Sequence, residues 1–441
     1  MDEWPKKQLG ELVTIRHGYA FKGEFFSDQE TGDILVTPGN FAIGGGFQLE
    51  KLKYYRGPTP EEYLLQPGDI IVTMTDLSKQ ADTLGYSAVV PHSKFRFLHN
   101  QRIGRLAQKS ESVFLPFIGW LLRTERYRNH VIGSATGSTV KHTSPSRILD
   151  YRFSLPSVSE QEAISGTLSA LDEKIELNRQ MNETLEALAQ AIFKDWFVTF
   201  GPTRRKAEGA TDPVAILGGL IPDPTKAAPL ATFFPDSFGD DGLPEGWEKR
   251  EIGQDFDVTM GQSPPGDTYN EAGNGLPFYQ GRRDFGWRFP TRRVYCSAPS
   301  RVSPADWTLV SVRAPVGDIN RAWEECCIGR GVGAFMHRKR LGSFTYYSAL
   351  HLREELASFD KDGTVFGSIN QNQFKALRIC GADQPAAAAF DDFVSPIDAL
   401  VRMRTEENRT LAETRDYLLP KLISGAVRVR DAAAMVEEAD K

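Results

Sequence analysis

The chain is written twice. Trp4, Leu9, Gly10 and Gly18 recur as Trp247, Ile252, Gly253 and Gly261, each 243 positions later. A second match keeps a shift of 226. It sets Gly137-Ser138-Thr139-Val140 against Gly363-Thr364-Val365-Phe366, then Ile175 against Val401, Asn182 against Asn408 and Leu185 against Leu411. A fixed period constrains a fold more tightly than any single motif. Two copies of one unit, each with a variable front and a long helical back, imply two similar surfaces offered to a two-part target.

Length and composition set the bounds. The chain has 441 residues, enough for two or three domains, and 40% hydrophobic content supports a real core. Cys296, Cys326, Cys327 and Cys380 form no C-x-x-C pair, which fits a reducing compartment and gives no zinc site. Met1-Asp2-Glu3-Trp4 is polar and acidic, so no leader is expected, and no run of ~18 apolar residues predicts a membrane span. A cytoplasmic location follows as the expectation. The net charge of -6 argues against a simple electrostatic DNA binder. Charge is uneven, however: Tyr279 to Arg293 carries five arginines and one aspartate, while the chain after Arg430 is acidic. An acidic whole with a basic face implies that a partner supplies the remaining contacts.

Residues 1–158 mix short apolar runs with Gly, Pro, Asn and Asp. Leu12–Ile15, Asp33–Val36 and Asp69–Val72 read as strands, and Phe117–Arg128 as an amphipathic helix. Residues 243–383 repeat the scheme, with strands near Phe256–Val258 and Thr308–Val312 and a helix over Tyr346–Leu356. Behind each front lies a helix with an apolar seam at alternating spacings of four and three. In the first, residues 159–200, the seam runs through Ile164, Leu168, Leu171, Ile175, Asn178, Asn182, Leu185, Ala189, Ile192 and Trp196. In the second, residues 384–426, it runs through Phe390, Val394, Ile397, Val401, Arg404, Asn408, Leu411, Arg415, Leu418 and Leu422. That pattern predicts two coiled-coil helices, pairing antiparallel if a rotation relates the copies. Asn182 and Asn408 sit at matching seam positions, where a buried Asn fixes register; the alternative is that the helices splay there. Residues 201–242, rich in proline, read as an extended surface linker, and 427–441 as an acidic tail.

The chemistry of an enzyme is missing. Ser263-Pro264-Pro265 ends in Gly266, so the aromatic of a base-flipping methyltransferase tetrad is absent. Gly329-Arg330-Gly331-Val332-Gly333 is not a G-x-G-x-x-G loop before a helix and reads as a turn, and no P-loop lysine motif occurs. Asp172-Glu173-Lys174 lies on the coiled-coil helix, not on nuclease strands. The seven histidines are scattered. Recognition remains, ahead of a stand-alone modification enzyme or a bare scaffold.

Further residues carry a resemblance. Ala191-Ile192-Phe193-Lys194-Asp195-Trp196-Phe197-Val198-Thr199-Phe200, followed by Gly201-Pro202-Thr203-Arg204-Arg205-Lys206-Ala207, resembles the centre of type I restriction-modification specificity subunits. Leu418 to Gly425 resembles the end of their second conserved helix, Pro244-Glu245-Gly246-Trp247 with Ile252-Gly253 the opening of a target recognition domain, and Pro67 to Val72 its central strand. The resemblance implies an α+β fold with two similar target recognition domains, 1–158 and 243–383, separated by two long antiparallel coiled-coil helices in an internal pseudo-two-fold repeat. It implies a non-catalytic subunit that reads a bipartite site on double-stranded DNA and docks two methyltransferase subunits, with restriction subunits completing the complex. S-adenosylmethionine, ATP and Mg would then sit on those partners and none on this chain. A related phage-defence modification complex lacking the usual nuclease is the alternative setting.

Base readout needs Arg for guanine and Asn or Gln for adenine, because their paired hydrogen-bonding groups match those base edges. The candidates for DNA contact are Lys79, Gln80, Lys141 and His142 in the first unit. In the second they are Arg282, Arg283, Arg288, Arg292, Arg293, Arg313, Asn370 and Asn372, though phosphate contact would explain most arginines equally well. Asn182, Trp196, Phe197, Asn408, Leu418 and Leu422 are expected at the helix or partner interface.

Overall fold

A computed structural model describes residues 4–78, 80–137, 140–360 and 367–429. The chain divides into two compact units. Unit 1 comprises residues 1–177 with 406–441, and unit 2 residues 178–405. Lys79, the Gly363–Phe366 half of the second match, and the acidic tail from Arg430 lie outside the described residues.

In unit 1 a four-stranded antiparallel sheet runs in the order Val13–His17, Ile103–Gln108, Ile70–Thr73, Ser87–Val89. Ile70–Thr73 is wholly buried because it is apolar on both faces and sits between two neighbours. A five-stranded sheet follows the order Phe26–Ser27, Tyr54–Tyr55, Asp33–Leu35, Arg96–Leu98, Leu64–Leu65, with one parallel pair, Asp33–Leu35 beside Arg96–Leu98. Lys6–Gln8 pairs with Arg152–Ser154, closing the front of the unit on its own end.

Unit 2 has the same plan. Its four-stranded sheet runs Phe256–Met260, Val332–His337, Thr308–Ser311, Ile319–Arg321. Its five-stranded sheet runs Tyr269–Asn270, Tyr295–Cys296, Leu276–Tyr279, Cys326–Ile328, Val302–Ser303, and again the third and fourth strands are parallel. Lys249–Glu251 pairs with Arg378–Cys380. Physics explains the glycines that mark both copies. A Cβ on Gly18 would lie 2.3 Å from the carbonyl oxygens of His99 and Asn100, and one on Gly261 would lie 2.2 Å from that of Gly329. At each point a strand end passes too close to a neighbouring backbone for any side chain.

The long helices are Val158–Phe197 and Pro385–Ser424. In unit 1, Asp172 meets Arg415 at 2.6 Å, Lys174 meets Glu407 at 3.2 Å, and Asn408 donates through Nδ2 to the Ile175 carbonyl at 3.1 Å. In unit 2, Asn182 donates through Nδ2 to Thr405 Oγ1 at 3.3 Å, and the Phe197 and Phe390 rings are 5.7 Å apart. Asp172 meets Arg415 while Lys174 meets Glu407, and Asn182 meets Thr405 while Phe197 meets Phe390, so within each unit the two helix segments run in opposite directions. Ile164, Leu168 and Leu171 share the unit 1 core with Leu411, Leu418 and Leu422. Ala189, Ile192 and Trp196 share the unit 2 core with Phe390 and Val394.

Three expectations change. The helix read over Phe117–Arg128 is two helices, Leu115–Leu121 and Glu125–Gly133, because Thr124 caps the second by accepting from the Tyr127 amide. The span read as Tyr346–Leu356 is likewise two, Gly342–His351 and Arg353–Ser358. The linker over 201–242 is not extended. It forms the helices Gly201–Ala207, Pro213–Ile216 and Pro224–Ala231, each with proline in its first turn, the last two capped by Asp212 and Asp223. Ile216, Leu217, Ile221, Ala227, Ala231 and Phe234 from this stretch are buried in the unit 2 core. Apolar residues spaced between short helical turns gain more from that burial than an exposed strap would.

Candidate nucleic-acid interface

In unit 1 the chain leaving the central strand forms a short ladder, Thr75–Asp76 against Lys141–His142. Thr75 Oγ1 and His142 Nδ1 are 3.2 Å apart. The buried Asp76 carboxylate then folds the next loop around itself, accepting from the amides of Ser78 at 2.6 Å and Thr83 at 2.5 Å and from the Thr83 hydroxyl at 2.6 Å. Burial alone would raise its pKa, but these donors from Thr83 and Ser78 hold it below the ordinary carboxylate range. Gln80 is exposed on this loop, His142 is exposed on the ladder and Lys141 is half-buried. Gln80, Lys141 and His142 therefore belong to one constellation, held by Asp76, which the sequence did not single out.

Unit 2 carries a counterpart. Arg313 bridges to Ser368, the residue matching His142 at the shift of 226. Arg313 is exposed. Asn370 caps the helix Gln371–Ala376, its Oδ1 accepting from the Asn372 and Gln373 amides, so only its amide NH2 remains to meet another molecule. Ser144 performs the same capping in unit 1. Asn372 is exposed on the first turn.

The arginine run divides by environment. Arg282 and Arg283 are exposed on the turn Arg282–Asp284, with Arg282 Nε 2.8 Å from Asp318. Arg292 meets Glu324 at 2.5 Å and Arg293 pairs with the buried Asp284. Burial opposes the Arg292 cation, but Glu324 more than offsets it and raises its pKa. Arg288 departs from expectation. Its side chain is 0% exposed and turns inward to Glu186 and Asp398, so it presents no surface to DNA. Arg330, read in the sequence only as part of a turn, is exposed, and a Cβ on the adjacent Gly331 would lie 2.2 Å from the Gln280 carbonyl. That contact places its turn against the segment leading into Arg282 and Arg283. Glycines on either side of a single arginine are the signal that could have found it.

The expected interface residues are core residues within their units. Trp196, Leu418 and Leu422 are at most 1% exposed and Phe197 4%. Asn182 is buried and Asn408 half-buried at the pairing described above. Among the described residues no group of three or more His, Cys, Asp or Glu could hold a metal ion. No helix among them is long and apolar enough to cross a membrane.

Residues 1–187 match the family model for the type I restriction modification DNA specificity domain. The chain is 24% identical over 440 residues to the putative type I restriction enzyme MjaX specificity subunit of Methanocaldococcus jannaschii, covering 97% of this chain and 95% of that protein. It is 25% identical over 368 residues to the type I restriction enzyme HindI specificity subunit of Haemophilus influenzae, covering 73% and 79%. In fold it is similar to the crystal structure of the type I restriction-modification system S subunit from M. genitalium, with a TM-score of 0.57, 16% identity, and 95% and 96% of the two chains covered.

Proposed function

We propose that this chain, which belongs to the type I restriction-modification specificity subunits, is the non-catalytic subunit that reads a bipartite DNA site, one half with each unit. The observation that carries this is the shared strand order of the two units, with exposed polar side chains at a short ladder in unit 1 and at the single Arg313–Ser368 bridge in unit 2. In unit 1, Gln80, Lys141 and His142 face one half-site. In unit 2, Arg282, Arg283, Arg313, Arg330 and Asn372 face the other. Arginine forks match the O6 and N7 acceptors of guanine, and glutamine or asparagine matches adenine. Those on exposed turns also neutralise phosphates and set register.

The two long helices act as an antiparallel coiled coil in a pseudo-two-fold repeat. They carry the recognition domains and dock two methyltransferase subunits, with restriction subunits completing the assembly. The net charge of -6 supports shared phosphate contacts, because a chain this acidic gains little from counterion release alone. S-adenosylmethionine, ATP and Mg belong to the partners.

Exchange of residues 243–383 for the equivalent domain of a relative tests this. Methylation sequencing of cells carrying the chimaera should show one half of the motif changed and the other retained. A change in both halves, or in neither, would overturn the assignment of one half-site to each unit.

A further inference from the structure

Arg288 is enclosed in unit 2 with its charge intact. Nη1 lies 3.1 Å from Glu186 on the first long helix, and Nη2 lies 2.6 Å from Asp398 on the second. Its guanidinium carbon is 4.4 Å from the centre of the Tyr346 ring. Arg321, from the four-stranded sheet, reaches the other Asp398 oxygen at 3.0 Å, and Ser343 Oγ and Tyr347 OH donate to the same carboxylate at 2.7 and 2.9 Å. Burial opposes the Arg288 cation, but Tyr346, Tyr347, Asp398 and Glu186 raise its pKa well above the ordinary arginine value. One buried and one half-buried cation facing two buried carboxylates are poor evidence of stability, since apolar groups of the same volume hold elements together as well. What they add is direction. A planar guanidinium between fixed carboxylates accepts one approach, whereas apolar contact tolerates rotation and sliding.

Unit 1 repeats the device. Asp172 lies 226 positions before Asp398, the same place in the duplicated sequence. It accepts from Arg123 Nη1 of the globular domain at 2.7 Å and from Arg415 Nη1 of the second long helix at 2.6 Å. The Arg123 side chain is 9% exposed and its guanidinium carbon sits 4.1 Å over the Trp120 ring. Different arginines, borne on different parts of each domain, converge on one equivalent helix aspartate.

We propose that Asp172 with Arg123, and Asp398 with Arg288, are positioning residues that hold each recognition domain at one angle on its own helix segment. They thereby set how sharply the complex discriminates the spacer between half-sites. The proposal rests on the bipartite reading above. It assigns these groups no contact with bases.

The test uses the assembled modification complex carrying Arg288→Lys, Asp398→Asn or Asp172→Asn. The substrate is a plasmid library in which the two half-sites, first read from the wild type by methylation sequencing, are separated by the natural spacer or by one or two base pairs more or fewer. The variants should keep both half-site sequences. Their preference for the natural spacer over its one-base-pair neighbours should fall by about fivefold, a loss of about 1 kcal/mol in discrimination. Lys94→Gln, which removes an exposed ion pair with Glu30, should leave the spacer profile unchanged. Folded, active variants with lower rates but a wild-type spacer profile would overturn the proposal, because a purely structural role moves stability and not spacing. Should Arg288→Lys fail to fold, Asp172→Asn decides by the same profile, since that carboxylate is 31% exposed and its loss is better tolerated. A wild-type complex whose methylated motif is not bipartite would instead overturn the underlying function.

Discussion

His99 lies 2% exposed in unit 1 with Nε2 2.9 Å from the Ile103 carbonyl, a contact that requires the ring to donate from that nitrogen. Burial lowers its pKa from 6.5 to about 4. A histidine whose folded pKa is depressed contributes stability that is fully present above the unfolded value and is lost as pH falls through the window from 6.5 towards 4. The loss should approach about 3 kcal/mol at the acid end. His337 in unit 2, lowered for the same reason, acts in the same direction. Thermal melts of the purified chain at pH 7 and pH 4.5 should show a smaller fall for His99→Gln than for the wild type, and equal falls would rule His99 out as a source. Trp196 is a second residue-scale test. It is 0% exposed, with its ring 4.9 Å from Phe234 and 6.0 Å from Phe390. Trp196→Ala should destabilise the chain by about 3–5 kcal/mol in urea unfolding. Unchanged stability with lost methyltransferase binding, read by size exclusion with the partner, would place it at the interface instead of the core. Orientation was the least legible property at this scale. Arg288 reads like its neighbours in the arginine run, and the carboxylates that bury it come from both long helices, Glu186 being 102 residues away.

Elements were legible where a period ran long enough to average out exceptions. The seam predicted both long helices to within a few residues of Val158–Phe197 and Pro385–Ser424, because four-and-three spacing over ten positions admits no other regular structure. The linker helices were not legible as a period, being four to eight residues long. Asp212-Pro213 and Asp223-Pro224 held the usable signal, a cap followed by the proline of a first turn. The same structure says where an insertion should go. Unit 2 contacts the first long helix from Glu186 through Phe197, so lengthening that stretch would split the contact surface of one domain. The better sites are between Arg179 and Gln180 and between Glu407 and Asn408, which keep Asn408 with Ile175 and Asn182 with Thr405. Four residues inserted at both should add about 6 Å with a rotation of roughly 40°. At about 3.4 Å per base pair the preferred spacer should grow by one or two base pairs with both half-sites unchanged. Methylation sequencing of cells carrying the double insertion measures this, and an unchanged spacer in an active complex would assign the spacing to the methyltransferase partners.

At the scale of the molecule, the duplication that opens the sequence is reflected in matching strand orders, while the unit 1 ladder and the unit 2 bridge, where DNA contact is proposed, share almost no residue types. Scaffold positions are legible because packing and close backbone approach permit few residues, as at Gly18 and Gly261; the reading surface is not, because any side chain compatible with water can stand there. The division into units also fixes an order of birth. Unit 2 is one uninterrupted stretch, 178–405, whereas unit 1 must wait for 406–429 to supply Leu411, Leu418 and Leu422 to the core already holding Ile164, Leu168 and Leu171. On the ribosome we therefore expect the half synthesised later to be completed earlier, against the usual N-terminal-first sequence. Nascent chains ending at Thr405, extended by an unstructured tether to clear the ribosome, should resist protease over 178–405 while 4–177 remains open to cleavage. Full protection of 4–177 at that stage would contradict it. Until the last segment emerges, the newborn protein carries a bare apolar helix face, and that interval is when a chaperone is most needed.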